Sequence, residues 1–356
     1  MADLFSSIII KNKTIKNRIV LPPVVRFGWS DSKGFVSEKH IKHYGLIAKN
    51  GPGLIIIEAL AIKKNGRLSP DQLGIWSDEY IEGIRKITEA CHKYGAIVTA
   101  QIHHAGLKTH SSVSNMALAP SDYYKDGRKV ARTLTIKEIE DIQEAFVMAV
   151  DRVIKAGVDG IEIHGAHGFL ISQFMSPVVN KRDDDYGGDI DNRARFSVEI
   201  IKKIKNIIGN KDLILGYRMG GNEPTIQDGI KIAKVLENAG IDLLHVSSGI
   251  EGDTLPEPPE GFDYNWIVYS GTEIKKNISI PLIAVNGIRT PDQARYLIKN
   301  NMSDFAAVGK GLLCDPDWTE KARGTNEVKE CLECKECDWF DEPEKCPRYR
   351  KLLRSA

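Results

Sequence analysis

Eight short, β-rich apolar runs recur along the chain, and helical patterns separate them. The runs fall at residues 18–22, 54–60, 97–102, 159–164, 213–219, 242–247, 280–286 and 304–309. Most are continuous rather than alternating in hydrophobicity, the pattern of parallel strands buried on both faces. Amphipathic stretches between them include 78–94, 135–156, 192–208, 225–239 and 291–299. Thr135 with Glu138, and Ser37 with His40, are helix-start signals, and Thr290-Pro291 is a cap followed by proline at the first helical position. Alternating units in this number close best as a single (β/α)8 TIM barrel. A doubly wound sheet would need a glycine fingerprint after an early strand, and the sequence has none.

The length of 356 residues suits one such barrel, and 42% hydrophobic residues can fill its core. Charges nearly balance, 49 basic against 48 acidic, so neither nucleic acid nor a membrane surface is an expected partner. The N-terminus shows no charged leader before an apolar run. The longest apolar stretch, 54–62, is interrupted by Glu58 and is too short to cross a bilayer. A cytoplasmic location is the expectation. Residues 8–16 read as an N-terminal hairpin turning at Asn12-Lys13 and plugging the barrel floor. Residues 112–132 and 251–263 read as loops at the C-terminal ends of strands, where active-site loops belong. Of six cysteines, Cys91 and Cys314 stand alone, while Cys331, Cys334, Cys337 and Cys346 cluster. That distribution indicates a reducing compartment with one local cysteine site. The chain thus divides into a barrel, 1–325, and a cysteine-rich tail, 326–356.

Polar residues fall at the strand ends. Gln101 and His104 end the third strand, His164 and His167 the fourth, and Arg218 the fifth. Asn286-Gly287 ends the seventh and Gly309-Lys310 the eighth. A barrel gathers these around one mouth. The last two pairs suit a phosphate, because glycine lets backbone amides approach closely; alone, each would equally serve a tight turn. His164 and His167 admit three roles: metal ligands with Glu162, donors to a substrate oxyanion, or packed core residues.

Residues 159–196 read DGIEIHGAHGFLISQFMSPVVNKRDDDYGGDIDNRARF. This segment closely resembles the signature of the old yellow enzyme family of FMN oxidoreductases. The resemblance continues at KNRIVLPP, LIIIEALAI, AQIHHAG, GYRMGG and AVGKGLLCDPDW, and reaches about residue 325. It implies FMN as cofactor, NAD(P)H as reductant and a small unsaturated substrate. Pro23, Val24 and Ala59 would line the flavin and Gln101 would bond its pyrimidine edge. Arg218 would stabilise the reduced anion. Asn286, Gly287, Gly309 and Lys310 would hold the phosphate. His164 and His167 would polarise a substrate carbonyl, with Tyr186 of the signature as a further catalytic candidate.

Three positions depart from the family pattern. Val25 stands against the flavin where Thr or Cys is usual, so one hydrogen bond is lost. Phe169 stands where many members have a proton-donating tyrosine, so water or another group must protonate the substrate. Lys310 replaces the usual arginine. The cysteine tail lies where dienoyl-CoA reductase and trimethylamine dehydrogenase relatives carry an iron–sulfur box, with longer later spacings. Four thiolates at this density suit a 4Fe-4S cluster, zinc, or no metal at all. A cluster would bring in an electron-transfer protein or another chain as partner; a homo-oligomer is also admitted. The alternatives to ene-reduction are an oxidative or electron-fed flavoenzyme, a flavin-binding subunit without turnover, and a metal-dependent barrel hydrolase.

Overall fold

The computed structural model describes residues 2–250, 254–324, 326–340 and 342–350. The eight expected strands are present and close into one parallel barrel. In barrel order they are Ile19–Leu21, Leu54–Ala61, Ile97–His103, Gly160–Gly165, Ile214–Gly220, Leu243–Ser247, Leu282–Val285 and Phe305–Ala307. The seam is the pairing of the last strand with the first, Ala306 with Ile19 and Ala307 with Val20. The (β/α)8 expectation holds.

Helices Glu38–Lys49, Ile81–His92, Ile136–Lys155, Ile190–Ile208, Ile226–Ala239, Trp266–Lys275 and Pro291–Lys299 surround the strands. Their starts follow local chemistry. The Thr135 and Thr290 side chains accept the backbone N–H of Glu138 and Gln293, each in a capping box. Asp189 caps Asn192, so that helix opens at Ile190, ahead of the expected 192. Trp266–Lys275 was not among the expected helices. It is short and buried on most sides, so amphipathic periodicity is weak, and its start is set by Asn265 accepting from Ile267 and Val268.

The hairpin pairs Ile8–Ile10 with Lys13–Ile15, turning at Lys11 and Asn12, one residue earlier than expected. Lys11 takes a left-handed φ of 53° there. Ile10 and Ile15 join Val20, Leu54, Ile56, Ile214, Leu243, Ile283 and Phe305 in a cluster inside the barrel. These residues sit at or near the strand starts, so the hairpin fills the floor, as the sequence suggested. Lys13 fastens it to Asp159 at 2.9 Å.

One expectation needs correction. The segment 112–132 is not plain loop but carries a small sheet of Ala117–Ala119, Tyr123–Lys125 and Arg128–Thr133. Its hairpin turns at Asp126-Gly127, both at positive φ, the dipeptide that favours such turns. Of the other predicted loop, residues 251–253 lie outside the described residues. Among the described residues no helix is long and apolar enough to cross a membrane.

The tail packs onto the barrel. Val328 and Trp339 are buried in the main core cluster. The Arg26 guanidinium lies 3.9 Å from the centre of a Trp339 ring. Ile15→Ala should lower stability by about 2–5 kcal/mol, because it leaves a void in the floor that eight strands cannot collapse to fill. Urea unfolding measures this; an unchanged midpoint would mean that the hairpin is not part of the barrel core.

Candidate active site

Alternation along a strand sends every second side chain to the barrel interior. On the third strand this puts Gln101 and His103 on one face, and on the fourth Glu162 and His164. Strand register then sets Gln101 beside Glu162, and His164 beside Arg218, itself beside His245. Deeper in, Gln101 Nε2 donates to Glu162 Oε1 at 2.7 Å, and His245 Nδ1 lies 2.8 Å from Glu162 Oε2. Glu162, the carboxylate that a histidine metal centre would call on, is thereby engaged twice. Among the described residues no three metal-binding side chains converge on one point.

Nearer the mouth, hydrogen bonds select the histidine tautomers. Arg218 Nη2 lies 3.1 Å from Ser247 Oγ, and Ser247 Oγ lies 2.7 Å from His167 Nε2. Arginine can only donate. Ser247 accepts from Arg218 and has one hydrogen of its own to give; we assign that hydrogen to His167 Nε2, an arrangement that leaves the His167 proton on Nδ1. His164 Nδ1 accepts the Ala166 backbone N–H at 3.4 Å, which places its proton on Nε2. The two rings stand edge to face, 5.0 Å between centroids. Burial holds both well below the ordinary imidazole range, and the Arg218 cation lowers both further. They are neutral N–H donors.

His167 itself has φ +60°, strained for a non-glycine residue. Its backbone is held from both sides: its N–H donates to Ser248 O, and Lys108 Nζ donates to its carbonyl at 2.7 Å. Arg218 is buried, and its Nε has no partner among the described residues. Burial lowers its pKa to about 10, against the pull of Glu162, so it remains a cation at neutral pH.

Seven of the predicted cofactor residues line one cavity of about 310 Å³: Pro23, Val24, Arg218, Asn286, Gly287, Gly309 and Lys310. Asn286 and Gly287 follow one another at positive φ. A Cβ on Gly287 would come within 3.1 Å of Asn265 Nδ2. The amides of Gly287 and Gly309 hydrogen-bond nothing among the described residues. Sequence reasoning missed Asn265, Arg289 and Glu333 in this wall. Glu333, from the tail, pairs with Arg289 at 2.6 Å and with Lys310 at 3.1 Å. Val25, Ala59 and Gln101 are not among the lining residues. Tyr186 is not brought to the mouth either. It lies between the outer helices Ile136–Lys155 and Ile190–Ile208, its hydroxyl donating to Glu199 at 2.8 Å.

Cys331, Cys334, Cys337 and Cys346 are free and line one adjoining cavity of about 330 Å³. Lys310, Cys331 and Glu333 belong to both cavities.

A family model described as the NADH:flavin oxidoreductase / NADH oxidase family matches residues 3–328. The chain is 42% identical over 345 residues to an NADH oxidase of Thermoanaerobacter brockii, covering 93% of this chain and 52% of that protein. It thus spans about half the length of that relative. An NADPH dehydrogenase of Halalkalibacterium halodurans is 38% identical over 323 residues, with 90% of this chain and 93% of the relative covered. Among solved structures, the old yellow enzyme homologue from Zymomonas mobilis superposes with a TM-score of 0.79 at 26% identity, over 96% of this chain and 99% of that one. A 2-naphthoyl-CoA reductase complex reaches 0.86 at 24% identity, covering 98% and 58%.

Histidine-labelled protein should show His167 as the Nδ1–H tautomer by nitrogen NMR, unchanged as pH falls through the ordinary imidazole range near ~6.5. Ser247→Ala should convert it to a tautomer mixture. A pure Nε2–H form in the parent would refute the Arg218–Ser247–His167 relay.

Proposed function

The chain belongs to the NADH:flavin oxidoreductase / NADH oxidase family, the old yellow enzyme family of FMN-dependent NAD(P)H oxidoreductases, and we propose that it reduces activated C=C bonds in small unsaturated carbonyl compounds. The observation that carries this reading is the join between two places. Arg218 lines the glycine-walled cavity and continues through Ser247 to His167, whose ring stands edge to face with that of His164.

The residues fit FMN. Arg218 offers a buried cation with an unused N–H, suited to the negative charge of a reduced flavin. Asn286, Gly287, Gly309 and Lys310 offer open amides and a cation for one phosphate. The phosphate would replace Glu333 as the partner of Lys310 and Arg289. Pro23 and Val24 give an apolar wall, with Val25, Ala59 and Gln101 as further flavin contacts in the proposal. Bound FMN supplies the chemistry of taking electrons from a nicotinamide and giving hydride to carbon. His164 Nε2–H and His167 Nδ1–H orient the substrate carbonyl and hold the negative charge that gathers on its oxygen. They hold that oxygen by hydrogen bonds and leave the α-carbon as the site of protonation. A hydrolytic metal centre at the same histidines has less support, because Glu162 already serves Gln101 and His245.

The purified protein should carry FMN rather than FAD, since the cavity has one phosphate end and the sequence lacks a dinucleotide fingerprint. Arg218→Ala should cut flavin content or slow its reduction by NAD(P)H. Chromatography of released flavin and stopped-flow reduction decide; FAD, or an Arg218→Ala protein equal to the parent, would contradict the assignment.

We further propose that the tail holds a 4Fe-4S cluster that links the flavin to an electron-transfer partner. The four free thiols line one cavity, which shares Lys310, Cys331 and Glu333 with the glycine-walled cavity, and four thiolates can hold such a cluster. Protein prepared without oxygen should contain about four irons and as many acid-labile sulfides per chain, lost in Cys334→Ser with Cys337→Ser. Stoichiometric zinc without sulfide would replace the cluster reading.

A further inference from the structure

Reducing an enone takes a proton at the α-carbon as well as hydride at the β-carbon. Phe169 is edge-on to His164, 4.9 Å between ring centroids, and has no proton to give. The same Phe169 ring meets a third imidazole, His103, edge to face at 4.6 Å. His103 lies 5.7 Å from His164 and follows Gln101 by two residues, so it shares that inward face of the third strand.

His103 differs from the other eight histidines in one respect. Each of those has at least one ring nitrogen in a hydrogen bond or cap: His40 with Ser37, His43 with Arg26, His92 with Asp159, His110 with Ser112, His104 with Gly106, and the three at the site as described above. Both nitrogens of His103 are buried and without a partner among the described residues. Two orphaned polar atoms in one fully buried side chain are costly unless a ligand answers them.

Resting on the ene-reduction reading, we propose that His103 is the catalytic residue that protonates the substrate α-carbon in place of the missing tyrosine. Burial lowers its pKa to about 3, so it works as a neutral ring with one N–H and one lone pair. Once hydride has reached the β-carbon, the electron pair of the enolate C=C takes the His103 N–H proton. A new C–H bond forms and the carbonyl returns. The other ring nitrogen takes a proton from water, which leaves as hydroxide. The imidazole ends neutral, as its opposite tautomer, and resets by exchange with solvent.

The test is His103→Leu in the FMN-loaded protein, reduced by NAD(P)H and mixed with cyclohexenone or with a nitroalkene. Flavin oxidation by cyclohexenone should slow ~10²-fold or more. Oxidation by the nitroalkene should change only a few-fold, with its nitronate accumulating in the near-ultraviolet. Phenol binding, read from the flavin spectrum, should stay near the parent value and show an intact site. Adding Phe169→Tyr should restore cyclohexenone turnover. His103→Gln replaces the leucine variant if that protein loses flavin. Parental rates with cyclohexenone in His103→Leu, or no recovery on adding the tyrosine while phenol still binds, overturn the proposal. If the reduced parent is oxidised by neither acceptor, the ene-reduction reading itself fails, and this proposal falls with it.

Discussion

The architecture depends on closing the barrel at a seam that has little ladder of its own. The first strand has three residues and the last has three, with two paired positions between them. Side chains supply what the ladder lacks. The Asn17 carbonyl accepts from the backbones of Ile19 and Gly53 while its amide donates to Gly51. The Arg18 guanidinium gathers the carbonyls of Ser6, Ser7 and Asp304, tying the N-terminal segment to the start of the eighth strand. Pro22, Pro23 and Val24 leave the seam on one side and Gly309-Lys310 on the other, so both walls of the glycine-lined cavity are set by this closure.

Electrostatics at the mouth follow from what the strands bury. Among the described residues Arg218 has no carboxylate in hydrogen-bond contact, and several imidazoles around it are held neutral by desolvation. Glu162 is held by Gln101 and His245, deeper than the two donors. The result is a place with donors and little competing negative charge. Such a place favours charge that appears only during a reaction, because the dipoles are already oriented.

The tail is anchored to the segments that frame the cavity. Trp339 stacks on Arg26, two residues beyond Val24. The Arg26 backbone N–H donates to Glu58 Oε2 at 2.9 Å, and Glu58 adjoins Ala59. Burial pushes the Glu58 carboxyl up to about 7, with the Arg26 charge opposing it. Glu333 holds Lys310 and Arg289 at the other end. The cysteine cavity is thus clamped to the glycine-lined cavity at two points, a cation–π stack and an ion-pair fork, and the two cavities share a wall.

The sequence by itself determined the barrel, the order of its strands, the floor hairpin and most helix starts. Those features rest on local periodicity and capping, which neighbouring residues encode directly. It also assembled Arg218, Asn286, Gly287, Gly309 and Lys310, because strand ends in a barrel share one mouth, while Pro23 and Val24 came from the family resemblance. The hairpin at Asp126-Gly127 was legible as a turn pair and was passed over as loop. Tertiary structure alone decided the rest. Tyr186 stood in the same signature as His164 and His167, yet its hydroxyl turns to Glu199 on the outer helices. The link from Arg218 through Ser247 to His167 joins three different strand ends, and Glu333 reaches Lys310 from the tail. From the sequence His104 was named at the end of the third strand and His103 was passed over; only strand alternation and the neighbours across the barrel leave one imidazole bonded and the other open. Such facts depend on which side chains meet across the barrel, a distance in space that spacing along the chain does not carry.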